Sequence, residues 1–108
     1  MSGINLHDRV KRVAKDIENN EAQWLLPGGV DPYHTEVRFR ADISGRLGEI
    51  ELVYQISSPR IEIHLLGGRV VGWDGGDRIS YPIEPDSELL QQAREHWTQR
   101  ISEQYDID

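Results

Sequence analysis

The sequence predicts an α+β fold of two layers, in which a five-stranded antiparallel meander of order 1-2-3-4-5 carries an N-terminal and a C-terminal helix on one face. Three observations predict it. Apolar residues recur at helical spacing at both ends, the middle alternates with period two, and Gly- or Pro-containing breaks cut that middle into short runs. A chain of 108 residues with no internal repeat and no low-complexity linker makes one domain, so one core has to bury every apolar stripe.

The first helix is expected over residues 5–24. Asn5 is a candidate N-cap with Asp8 three residues on, where an acid also favours the positive helix end. Leu6, Val10, Val13, Ala14, Ile17 and Trp24 fall on one face. Pro27-Gly28-Gly29 is the expected stop, followed by a loop through Asp31, Pro32 and His34.

Five strands are expected next, at 34–43, 48–57, 60–66, 69–74 and 77–83. In the first, Thr35, Val37, Phe39, Ala41 and Ile43 alternate with Glu36, Arg38, Arg40 and Asp42. Ile50, Leu52, Tyr54 and Ile56 form the inward set of the second, and Ile61, Ile63 and Leu65 that of the third. Two-residue loops at Gly45-Arg46, Ser58-Pro59, Gly67-Gly68 and Gly75-Gly76 would keep the registers in phase, although proline makes the second of these a poor tight turn. One inward row then reads Phe39, Leu52, Leu65, Val70, Tyr81, and the next reads Val37, Tyr54, Ile63, Gly72, Ile79. The last helix is expected over 86–105, capped by Asp86 or Ser87, with Leu89, Leu90, Ala93, Trp97, Ile101 and Tyr105 in one stripe.

Composition bounds the chemistry. There is no cysteine, which removes disulfides, thiolate metal sites and cysteine nucleophiles. A formal charge of −7 disfavours nucleic acid and favours a basic protein partner, unless the acidity serves only solubility. The bases concentrate early, at Arg9, Lys11, Arg12 and Lys15, and are expected to face Glu95 and Glu103 of the last helix. No run is long enough to span a membrane and no signal-peptide core is present, so the expected compartment is the cytoplasm.

The face of the sheet without helices is the informative one. The expected registers put Arg38, Val53, His64, Val71 and Ser80 in one outward row, and Glu36, Gln55, Glu62, Trp73 and Arg78 in the next. Val53, Val71 and Trp73 would form an apolar spot inside a rim of Arg38, Glu62, Arg78 and His64, the composition of a protein-binding hot spot. The plainer reading is that the valines are ordinary strand formers and that Trp73 merely stacks on Arg78. His64, Glu62 and Asp74 are the alternative, as a catalytic or ligand-binding set. Zinc needs three or four convergent ligands, and one outward histidine falls short, so no metal or other cofactor is expected.

No P-loop, nucleophile elbow or HExxH motif is present. The expectation is a non-enzymatic module that binds another protein, in the manner of an inhibitor such as an immunity protein or an anti-defence factor of the anti-CRISPR kind. A secretion-chaperone-like homodimer is the alternative among binding modules. A monomer is favoured, because alternating charges on the first strand and Pro82 on the fifth both blunt edge pairing.

Overall fold

Apolar spacing sets the first helix, and local capping sets its ends. The computed structural model describes residues 5–22, 25–26, 36–55 and 59–105. Trp24, the loop expected at 27–34 with Asp31 and His34, Thr35, the residues from Ile56 to Ser58 and the acids Asp106 and Asp108 lie outside the described residues. Helix α1 (Leu6–Glu18) begins at Asn5, whose side chain accepts from the Asp8 amide at 2.8 Å. It ends at Glu18, short of the expected residue 24. Asn20 turns left-handed at φ 60°. The Asn20 amide then bonds the Ile17 carbonyl at 3.1 Å, and the Glu21 amide bonds Asp16 at 2.8 Å. That pair of bonds is a Schellman cap, which satisfies the last carbonyls before Pro27 is reached, and asparagine adopts this conformation more readily than other non-glycine residues.

The sheet consists of β1 (Glu36–Ala41), β2 (Leu47–Gln55), β3 (Arg60–His64), β4 (Arg69–Asp74) and β5 (Asp77–Pro82), antiparallel throughout in the order β1-β2-β3-β4-β5. Between β4 and β5 the register is the expected one, with Val70 opposite Tyr81 and Gly72 opposite Ile79 across a Gly75-Gly76 turn. The other three registers differ from expectation by a slip along the strand. Phe39 meets Ile50 instead of Leu52, Leu52 meets Ile63 instead of Leu65, and Val70 meets Ile63 instead of Leu65.

Loop length explains two of these slips. After β1, Gly45 at φ 86° closes a longer loop in which the Asp42 carboxylate accepts from the amides of Ser44 and Arg46, and a bulge follows Arg40. Ile43 sits fully exposed in this loop, so it does not extend the inward row. After β3, Leu65 and Leu66 join Gly67 and Gly68 in the turn, and the Gly68 amide bonds the His64 carbonyl at 2.9 Å. The chain between β2 and β3 includes residues outside the described set, and a bulge lies between Val53 and Gln55.

A slip of two preserves which face each side chain takes. Ile50, Leu52, Ile61, Ile63 and Val70 are accordingly buried under the helices, with Val37, Phe39, Ile79 and Tyr81 packed at the margin. Helix α2 (Glu88–Tyr105) adds Leu89, Leu90, Ala93, Trp97 and Ile101 to the same core. Ser87 caps it, its Oγ accepting from the Leu90 amide at 3.3 Å. Helix α1 lies over β4 and β5, where Gly72 admits it: a Cβ there would stand 2.5 Å from Val10 and 2.9 Å from Leu6. At the other side α2 reaches β1 and β2, with the Tyr105 ring 4.9 Å from Phe39. Of the residues expected to bridge the two helices, Lys15 pairs with Glu18 on its own helix, and Glu103 accepts a hydrogen bond from Gln99 on its own. No helix among the described residues is long and apolar enough to cross a membrane.

Candidate functional site

With both helices on one side, alternate residues of every strand build a second, helix-free face. The observed registers set its rows. Glu36, Val53, Glu62, Val71 and Ser80 form one, and Arg38, Glu51, His64, Arg69 and Pro82 the next. Arg60, Trp73 and Arg78 form a third. The expected rows are thus regrouped: Glu62 lies beside Val71 instead of Trp73, and His64 gains Glu51 as its cross-strand neighbour.

The centre of this face is closed, where the sequence suggested an apolar spot open to solvent. Val53 and Val71 are 0% exposed, and Glu51 and Glu62 are 5% exposed. Long side chains lean over the middle and pair with the two carboxylates. Arg40 reaches Glu51 Oε2 at 2.8 Å, and Arg60 Nε donates to Glu62 Oε2 at 2.6 Å. His64 Nε2 lies 3.1 Å from Glu62 Oε1 and 3.9 Å from Glu51 Oε2. Burial pushes the Glu62 carboxyl up, but the hydrogen bonds from Arg60 and His64 and the charge of Arg60 outweigh it and hold the group below its ordinary value. Buried glutamates need such partners, since a lone carboxylate would not stay charged there.

Glu62 and His64 are therefore brought together as their spacing on a strand implies, and Glu51 completes a three-residue cluster whose ligating atoms all lie within 4.8 Å. The sequence reading missed Glu51. Its signal was present, as a glutamate at an outward position of β2, but the expected register placed it away from His64. Asp74 does not join the cluster. It sits exposed at the β4–β5 turn, opposite Asp77. Glu49, near the start of β2, turns into the β3–β4 loop, where its carboxylate accepts from the amides of Leu66 at 2.8 Å and Gly67 at 3.0 Å.

Trp73 occupies the far end of the face and is half-buried. Its strand neighbours are Arg60 and Arg78, and the Arg78 guanidinium stands 5.8 Å from the ring centroid, within cation–π range. The remaining rim is rich in arginine. Arg38, Arg40, Arg69 and Arg78 are all exposed, whereas Glu51 and Glu62 on the same face are buried and paired. An acidic protein thus turns exposed arginines and a tryptophan outward on this face, with the exposed Asp74 and Asp77 at the turn beside Trp73. Among the described residues, a shallow depression on α2 is lined by His96, Gln99, Arg100 and Glu103. Comparison with known protein families, with curated proteins and with solved structures finds no match.

Proposed function

We propose that this chain is a non-enzymatic protein-binding module whose partner docks on the helix-free face of the sheet around Trp73. The observation that carries the reading is the half-buried Trp73 ring with the exposed Arg78 over it, at one end of a face whose other end carries the exposed Arg38, Arg40 and Arg69. Tryptophan and arginine are the side chains that most often dominate binding energy when a partner desolvates them. Exposed arginines here suit a partner surface that offers carboxylates, while the net charge of −7 over the whole chain works against a nucleic-acid strand. Within this reading, the small size and acidity favour an inhibitor of another protein or complex, such as an immunity protein or anti-defence factor.

Site-directed photo-crosslinking in the native host tests it. A photoreactive residue in place of Ser80, in the row beside Trp73 and Arg78, should give a discrete protein adduct, and one in place of Gln99 on the outer side of α2 should not. Adducts from position 99 with none from position 80 would move the contact to the helical side and overturn the proposal.

A further inference from the structure

We propose that Glu51, Glu62 and His64 form a binding site for one divalent first-row transition-metal ion, with Zn²⁺ as its best probe. In a tetrahedral zinc site with bonds of about 2.0–2.1 Å, neighbouring ligand atoms lie roughly 3.3 Å apart. His64 Nε2 stands 3.1 Å from one carboxylate oxygen and 3.9 Å from the other, and all three donors lie within 4.8 Å of one another, so separations close by at most about 1.5 Å to meet an ion. An ion there takes the place of the hydrogen bond between His64 and Glu62.

The arginines fit this reading in different ways. Arg60 holds Glu62 through Oε2 and leaves Oε1, the oxygen nearest His64, to face the ion. It is thereby a positioning residue, like the hydrogen-bond donors that orient metal-binding carboxylates. Arg40 holds the Glu51 oxygen that the ion needs, but its side chain is 75% exposed, so its release into water costs little. Strand β2 supplies Glu51, and neighbouring β3 supplies Glu62 and His64, two apart on one face. Rigid paired strands hold such a set better than a loop would. Three protein ligands leave a fourth position for water or for a donor from outside. One imidazole with two carboxylates selects transition ions over Mg²⁺ and Ca²⁺, which prefer oxygen alone.

Isothermal titration of the untagged full chain at neutral pH with ZnCl₂, and separately with MgCl₂, decides the matter. One Zn²⁺ should bind per chain, and excess Mg²⁺ should not displace it. His64→Ala should weaken Zn²⁺ binding by about tenfold or more. Arg40→Ala, which frees Glu51, should tighten it, and His7→Ala and His96→Ala should leave it unchanged. Should His64→Ala fail to fold, Co²⁺ added to the wild-type chain should broaden the NMR signals of His64 while sparing His7 and His96. Absence of saturable Zn²⁺ binding, equal affinity in folded His64→Ala, or Co²⁺ broadening centred elsewhere would overturn the site. None of these results bears on the docking contact at Trp73.

Discussion

Glu62 and His64, two residues apart on β3, face each other across 3.1 Å while Arg60 grips the second oxygen of the same carboxylate. This arrangement keeps Glu62 ionised in a place where burial alone would favour its protonated form, and its folded-state pKa lies below the ordinary 4.5. The folded state then binds fewer protons than the unfolded chain in that window. Its contribution to stability is present above pH 4.5 and is lost as pH falls through the lower folded value. Glu62→Gln should accordingly be less stable than wild type at pH 7, with the two converging as the solution is acidified. Urea midpoints measured from neutral pH into the acid range check this. Parallel curves would mean that Glu62 contributes nothing to the acid response.

The contact between α1 and β4 depends on a missing side chain. Because a Cβ at Gly72 would stand 2.5 Å from Val10 and 2.9 Å from Leu6, Gly72→Ala forces α1 away from the sheet. Overpacking of this kind costs about 1–3 kcal/mol. Chemical denaturation should show a loss in that range, and Val10→Ala in the same chain should recover part of it.

The β3–β4 turn is held from two directions. Glu49 accepts from the amides of Leu66 and Gly67, and Arg94 of α2 donates to the Leu65 carbonyl at 2.6 Å. Removing a charged partner of such bonds costs about 1–3 kcal/mol, less where water can replace it. Glu49→Ala should therefore destabilise the chain by about 1 kcal/mol and raise amide exchange at Leu66 and Gly67. Unchanged exchange at those two amides would count against the clamp.

A buried indole ties the segment after α1 to α2. Trp97 Nε1 donates to the Leu25 carbonyl at 2.7 Å, with the ring itself in the core. Trp97→Phe keeps most of the packing but strands that carbonyl, at a cost of about 1–3 kcal/mol. Thermal unfolding should register the loss. A neutral result would show that water or a shifted backbone satisfies the carbonyl.

The inward and outward sets of the strands were legible in the sequence because period two survives any even slip. Phe39 faces the helices whether it meets Leu52 or Ile50. The exact partner was not legible, because it depends on loop length, and the Asp42 carboxylate and the left-handed Gly45 make the first loop longer than a Gly45-Arg46 turn. A like slip elsewhere hid the candidate site. Shifting β2 against β3 sets Glu51 beside His64, and a separate slip of β3 against β4 replaces Glu62 with Arg60 as the neighbour of Trp73. The end of α1 was misread for a local reason. Asn19 and Asn20 passed as helical residues, while Asn20 takes the left-handed cap for which glycine is the usual signal. Trp73 and Arg78 were placed together from the start, since their strands join by a short Gly75-Gly76 turn that admits no slip.

The most direct test of docking at Trp73 is the affinity of Trp73→Ala for the protein crosslinked through position 80, measured by titration calorimetry beside wild type with circular dichroism confirming the fold. Loss of at least about 2 kcal/mol, roughly a thirtyfold rise in Kd, is the predicted result. Equal affinity for the two folded chains would contradict the account.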